Sequence, residues 1–433
     1  MLREIAHSTM LDRLEILQWL REEAPERLEE LWRRADDTRR ARVGDPVHLR
    51  GLIEISNHCV RACGYCGLRG ANADLARYRM TAPEILACAA QAIEFGYGTV
   101  VLQAGEDPGI QKDWVSDLIG KIKALRPREA SDNARRPSLA AASAGGGQGW
   151  PPPTEIPFAP LAVTLSLGER TEDELAAWKA AGADRYLLRF ETSNRELFRS
   201  IHPSLPGSTS DRIALLRQLR RLGYEVGSGV MIGIPGQTYD DLAADILLFA
   251  ELDLDMIGVG PYLPHPQTPL GRRFTTEDTE NAEKANCSET ATATTKEEIQ
   301  REATAKRTTD SRGKASENSQ LSIVNCQSAV PNTELMTYKV IALARLACPR
   351  ANIPSTTALA TLNRESGREL GLRRGANVVM PNLTPTRYRA MYEIYPAKAC
   401  IYETAGQCHL CLTGRIASIG RTVGAGRGDS RRR

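Results

Sequence analysis

Eight short runs of strand-forming residues, most of them separated by segments of helical spacing, leave this chain few folds to adopt. The runs are 51–56, 99–103, 162–166, 185–191, 226–232, 256–260, 352–355 and 377–380. Between them, 82–95, 172–181, 211–222 and 240–251 place apolar residues three and four apart, the spacing of one helix face. Parallel strands need long crossovers, and helices supply them. Eight strand–helix units are what an α/β fold of the (β/α)8, TIM-barrel, type requires. Polar and Gly-rich residues gather just after the strand runs, where barrel enzymes build their sites.

Two stretches break the pattern. Residues 127–157 hold an Ala/Gly-rich run and Pro151-Pro152-Pro153, and 274–333 are rich in Thr, Glu, Lys, Ser and Ala without periodicity. Both read as low-complexity insertions, and loop-closure entropy grows too slowly with length to exclude a barrel. Cys287 and Cys326 lie in the second and receive no role. The expected organisation is a helical segment over 1–45, with amphipathic helices at 11–22 and 25–40. A barrel follows over 46–412, then a basic tail over 413–433. Its last residues, 427–433, read as solvated and their Arg-Gly-Asp triplet as chance.

A net charge of +3 points to neither nucleic acid nor an acidic surface as partner. The first twenty residues are interrupted by Arg3, Glu4, Asp12, Arg13 and Glu15, so no signal peptide is expected. No run of eighteen apolar residues occurs, so no membrane span is expected. Ten cysteines without a secretion signal suggest a reducing compartment, the cytoplasm.

Three of those cysteines stand directly after the first strand run, as Cys59-x3-Cys63-x2-Cys66. Three thiolates on one loop can hold three irons of a 4Fe-4S cubane and leave the fourth iron open. Electron-transfer ferredoxins instead use four cysteines per cluster. A structural zinc site needs a fourth ligand, and His58 abuts Cys59 too closely to serve well. A disulfide framework does not suit a long chain with no secretion signal. A second group, Cys400, Cys408 and Cys411, has C-x7-C-x2-C spacing with His409 inside. A second Fe-S cluster, a zinc ion and free thiols all stay open there.

The loop, with Tyr65 before its last cysteine, resembles that of radical S-adenosylmethionine (SAM) enzymes. In that superfamily the open iron binds SAM, and one electron releases a 5'-deoxyadenosyl radical. Gln103-Ala104-Gly105-Glu106 resembles the segment that receives the SAM amino group. Alternation places Arg185, Leu187, Arg189 and Glu191 on one face. Charges facing a barrel interior are costly unless paired or used. Either Arg189 and Glu191 pair internally, or Glu191 holds ribose hydroxyls and Arg189 a carboxylate, which its fork suits. The Gly/Pro-rich turn at 231–238 lies where an adenine would stack, and Thr238 is placed to cap the helix after it.

The lead-in Ile53-Glu54-Ile55-Ser56-Asn57 and Tyr78-Arg79-Met80-Thr81 resemble the branch holding biotin synthase, methylornithine synthase and the HydE family. Runs at 101–108, 164–169, 184–192, 258–269, 376–384 and 388–396 are similar to the HydE family in particular. This resemblance implies a full barrel with the cluster on Cys59, Cys63 and Cys66. It implies SAM against Gln103, Glu106, Glu191 and Arg212. Thr164, Arg189, Thr356, Thr357, Met380, Tyr392 and Tyr395 would line a substrate cavity. It further implies a role in maturing the di-iron part of the FeFe-hydrogenase H-cluster, on a small-molecule or organometallic substrate such as an iron-bound cysteine. The implied partners are other hydrogenase maturases and an electron donor such as ferredoxin or flavodoxin. Two alternatives are kept: a radical SAM enzyme acting on an ordinary metabolite, and a non-catalytic Fe-S or zinc protein. The spare cysteines are not strand-borne, which counts against a biotin-synthase-like sulfur inserter. Arg189 and Glu191 count against an inert barrel.

Overall fold

The computed structural model describes residues 11–127, 159–272 and 329–431. Two helices, α1 (Arg13–Arg21) and α2 (Pro25–Val43), precede β1 (His48–Leu49) and β2 (Gly51–Ser56). Then follow α3 (Ala82–Glu94), β3 (Thr99–Ala104), α4 (Lys112–Ala124), β4 (Ala162–Ser166), α5 (Glu172–Ala180) and β5 (Arg185–Leu187). Next come α6 (Arg195–Ile201), α7 (Arg212–Arg221), β6 (Glu225–Ser228), β7 (Met231–Ile232), α8 (Tyr239–Glu251), β8 (Met256–Ile257) and β9 (Gly260–Pro261). The described chain ends with α9 (Glu334–Ala347), α10 (Thr357–Leu362), α11 (Gly367–Arg373), β10 (Val378–Val379), α12 (Thr386–Arg389) and α13 (Ala405–Ser418).

Six strands form one parallel sheet in the order β2-β3-β4-β5-β6-β8. The ring closes through shorter contacts. Met256 bridges Asn352, Pro354 bridges Val378, and Leu52 bridges Asn382, while β1 pairs β10. All eight expected strand positions therefore lie around one barrel. The seventh is reduced to bridges because Pro354 has no N–H to give a ladder. The Asn377 carboxamide accepts from Ile353 N at 2.8 Å beside it. The fourth strand stops at Leu187, short of the expected 191. Beyond it only Glu191 pairs, as a single bridge to Val230, and its φ of 63° turns the chain out of the extended strand. The fifth run is split where Gly229 crosses Gly258 so closely that a Cβ on it would stand 1.8 Å from the Gly258 carbonyl oxygen.

Thr81, Thr171 and Thr238 each begin a helix with a capping box, against Glu84, Glu174 and Asp241. These reciprocal bonds satisfy orphan N–H groups at the first turn. Ile53, Ile55, Val100, Leu102, Val163, Leu165 and Tyr186 bury outward against the helices. The alternate residues Leu52, Glu54, Val101, Gln103, Thr164 and Ser166 face a cavity of about 350 Å³.

The tail does not run into solvent. Val423 bridges Val47, and the chain then crosses beneath the strands' N-terminal ends. Thr99 Oγ1 donates to Arg427 O at 2.8 Å, Arg50 Nη2 to Gly428 O at 3.0 Å, and Ser430 N to Glu225 Oε1 at 3.1 Å. Gly426 takes φ 75°, and Gly98 meets it so closely that a Cβ would lie 2.1 Å from its carbonyl carbon. Asp429 pairs with buried Arg185. The tail's polar and Gly-rich composition suits a floor built from backbone carbonyls and ion pairs.

Most of the two insertions, with Cys287 and Cys326, lies outside the described residues. The end of the second does not: Ala329 bridges Thr238, and Val330 is buried with its N–H on Gln237 O at 3.1 Å. Packing against α8 thus begins a few residues before 334. Among the described residues no helix is long and apolar enough to cross a membrane.

Candidate active site

The loop after β2 has no regular structure, so side chains must fix it. Arg77 alone donates to four of its carbonyls, those of Asn57, Leu68, Arg69 and Asn72, at 2.6–3.1 Å. Asn57 Nδ2 reaches Ala76 O and Met391 O, both at 2.7 Å. Gly105 lies against the loop so closely that a Cβ would stand 2.2 Å from His58 O, which brings the Gly-Glu segment beside the cysteines.

Cys59 and Cys66 line the cavity mouth, and Cys63 is buried beside them. Burial raises the pKa of all three thiols, that of Cys63 to about 12. Metal must displace those protons to bind. Among the described residues no three His, Cys, Asp or Glu side chains could share a single metal ion. Three thiolates on a fixed loop, opening on a cavity, instead suit a cluster that takes one sulfur per iron. Behind Cys63, His202 Nδ1 lies 3.0 Å from its sulfur. Burial lowers the His202 pKa to about 4 despite Glu169.

Of the residues expected to hold SAM, Gln103 and Glu191 face the cavity. Glu106 does not. Its carboxylate accepts from Arg61 Nε at 2.6 Å and Glu169 N at 3.1 Å, in a neighbouring groove. Arg212 is also outside the cavity lining: Nε reaches Glu169 Oε1 at 2.9 Å and Nη1 reaches Arg189 O at 2.7 Å. Both are held by neighbouring wall residues.

The expected substrate residues Thr164, Arg189, Thr356, Thr357, Met380, Tyr392 and Tyr395 all line the cavity. Arg189 Nη2 stands 3.2 Å from Glu191 Oε2, so the internal pair forms. It does not exhaust Arg189, whose Nε is buried without a hydrogen bond, and the contact at Glu191 Oε2 is an ion pair without hydrogen-bond geometry. Thr164 Oγ1 and Thr356 Oγ1 are also buried without a hydrogen bond. Thr356 precedes α10 yet its hydroxyl does not cap it. Buried polar atoms left this way await a partner. Tyr392 OH accepts from Gln103 Nε2 at 3.2 Å.

Three charged lining residues received no role from the sequence: Arg50, Glu54 and Lys398. Glu54 pairs with Lys398 Nζ and accepts from Asn382 Nδ2 at 3.1 Å. Arg50, at the floor, donates to Met256 Sδ at 2.7 Å, and burial lowers its pKa to about 9. A lone Glu inside the apolar run Leu52–Ile55 was a readable signal. Arg50, Arg189 and Lys398 against Glu54 and Glu191 leave the lining with one surplus positive charge.

Near the C-terminus, the Cys400 thiol is hydrogen-bonded with Cys408, which with Arg368 draws its pKa down to about 6. Cys411 is exposed on α13. His409 is not turned to them: it stacks on Phe95 with centroids 4.7 Å apart and meets Tyr97 OH at 2.9 Å. Cys88 and Cys348 are buried in helical surroundings, in keeping with small hydrophobes.

Residues 53–249 match the radical SAM superfamily. The chain is 37% identical over 431 residues to the [FeFe] hydrogenase maturase subunit HydE of Thermotoga maritima, covering 98% of this chain and 97% of that protein. Its fold is similar to the crystal structure of methylornithine synthase (PylB), with a TM-score of 0.62 at 20% identity, covering 96% and 94% of the two chains. It is also similar to the maturase HydG from Carboxydothermus hydrogenoformans, with a TM-score of 0.59 at 15% identity, covering 87% and 68%. The cysteine loop opening on a cavity with buried charges in its lining, the closed parallel barrel and the near full-length relationship agree: this chain is a radical SAM enzyme and belongs to the HydE family of [FeFe]-hydrogenase maturases.

Proposed function

We propose that the enzyme holds SAM at the barrel mouth and works on a carboxylate-bearing precursor below it, an iron-bound cysteine complex on its way to the di-iron subcluster. The observation that carries this reading is the set of unsatisfied groups in one cavity: Arg189 Nε, Thr164 Oγ1 and Thr356 Oγ1, in a lining with surplus positive charge. A carboxylate would accept from all three, and the guanidinium fork would fix its plane.

Cys59, Cys63 and Cys66 hold the 4Fe-4S cluster, which with SAM supplies a 5'-deoxyadenosyl radical on one-electron reduction. Glu191 turns its carboxylate to ribose hydroxyls, and Gln103 and the Gly105 backbone contact the methionine end. Thr357, Met380, Tyr392 and Tyr395 close the walls and exclude water from the reacting atoms. Other maturases deliver and receive the complex, and a ferredoxin or flavodoxin supplies the electron. The enzyme works in a reducing cytoplasm, where the cysteines not given to the cluster stay as thiols. Cys400, Cys408 and Cys411, for which a second Fe-S cluster, a zinc ion and free thiols all stay open, are accessory, so that their loss spares catalysis, and the two insertions are dispensable for the barrel.

The test is Arg189→Ala in anaerobically reconstituted protein given an iron-cysteine complex. Substrate processing should fall at least ~100-fold, the loss expected of a misplaced reactant, while SAM cleavage persists. Equal loss of both would refute the substrate assignment. Processing of an ordinary amino acid instead would favour a metabolite mutase.

A further inference from the structure

His202 ends α6 directly behind the cysteine loop and is absent from every role above. Its ring is buried, with Nδ1 3.0 Å from Cys63 Sγ. Nε2 lies 3.1 Å from Arg212 Nη2 and 3.3 Å from Glu169 Oε1. The Arg212 nitrogen can only donate. A proton on Nε2 would face that N–H, so Nε2 accepts and the ring proton sits on Nδ1. Glu169 does not reverse this, because its Oε1 already accepts from Arg212 Nε at 2.9 Å and Ser210 Oγ at 2.5 Å. Arg61 holds the other oxygen at 2.9 Å. The backbone fixes the approach: Gly64 N donates to Ile201 O at 2.7 Å, tying the loop to the residue before His202.

We propose that His202 is a positioning residue of the radical generator. Its Nδ1–H donates to the Cys63 sulfur, and in the loaded enzyme that bond makes the cluster easier to reduce. Hydrogen bonds to ligand sulfurs stabilise the added negative charge and are among the levers that set cluster potentials. The Glu169–Arg212 pair acts one step behind, by fixing the tautomer. The inference rests on Cys63 being an iron ligand.

Two near-isosteric variants separate donor from packing. His202→Asn keeps an N–H near Nδ1, and His202→Leu removes it. The full chain is reconstituted anaerobically, iron content is matched, and the midpoint potential is read by EPR-monitored titration without SAM. His202→Leu should shift to a more negative potential, with His202→Asn lying near wild type. Equal potentials for Leu and wild type, or an Asn variant as low as Leu, overturn the proposal. Independently of loading, the 15N shifts of His202 in unsubstituted, metal-free protein should report the Nδ1–H tautomer, and an Nε2–H tautomer overturns it. Failure of wild type to bind a cluster would instead strike the assignment of Cys63.

Discussion

Arg185 and Arg189 lie four residues apart on one strand run, and both face the barrel interior, yet they serve opposite ends of it. At the floor, Arg185 is fully buried and every guanidinium nitrogen is engaged. Nε meets Glu225 Oε2 at 2.6 Å, Nη1 meets Thr99 Oγ1 at 2.9 Å, and Nη2 meets Arg427 O at 3.1 Å as well as Asp429. Near the mouth, Arg189 has one carbonyl, one loosely placed carboxylate and an unpaired Nε. The same residue type is a structural tie where its valences are filled, and keeps a donor for the proposed substrate where they are open.

Removing the floor should have the largest effect on stability. Truncation after Gly420 strips Arg185, Arg50 and Thr99 of their tail partners, and unfolding in urea should shift far below wild type or lose its cooperative transition. A truncated protein as stable as the full chain would show that the tail merely rests there.

Next is the pair itself. Arg185→Met leaves Glu225 and Asp429 without their cation, and breaking a buried pair costs about 3–5 kcal/mol. Arg189→Met removes a partly exposed side chain with an unpaired Nε and should cost less than Arg185→Met, even though it leaves buried Glu191 without its cation, while abolishing substrate processing. Equal destabilisation would erase the distinction between the two ends.

Two threonines sharpen the contrast at smaller scale. Thr99→Val deletes bonds to Arg185 and Arg427 and should cost about 1–3 kcal/mol. Thr164→Val removes a hydroxyl with no partner, so stability should hold or rise while substrate binding weakens.

The smallest effect is in pH. Asp184 is partly buried, which raises its pKa, but Lys123, the Val163 N–H and Arg427 outweigh this and bring it below the ordinary 3.8. The unfolded chain therefore binds the proton more readily. The Asp184 contribution is complete above about pH 4 and is lost as pH falls through its depressed folded value. Acid unfolding of Asp184→Asn should show a shallower pH dependence there than wild type.

The two ends also differed in how readily the sequence revealed them. The cysteine loop was legible because its three ligands are adjacent in the chain and follow a strand. The strand–helix alternation was legible because each unit is local. Arg189 and Glu191 stood out as charges on an inward face. What escaped depends on distant partners. Glu54 meets Lys398 across 344 residues, and no periodicity links them. Glu106 and Arg212 have the residue types of a SAM site, but their orientation is set by Glu169 and Arg61. The floor was invisible because a short Gly- and Arg-rich tail looks solvated until the strand ends it covers are in place.

The cysteine loop bears the central claim, and Cys63→Ala tests it most directly. Wild-type protein, reconstituted anaerobically and reduced, should give a 4Fe-4S EPR signal and form 5'-deoxyadenosine from SAM. The variant should lose both, while its far-ultraviolet circular dichroism stays that of the folded barrel. SAM cleavage that survives in Cys63→Ala would contradict the account.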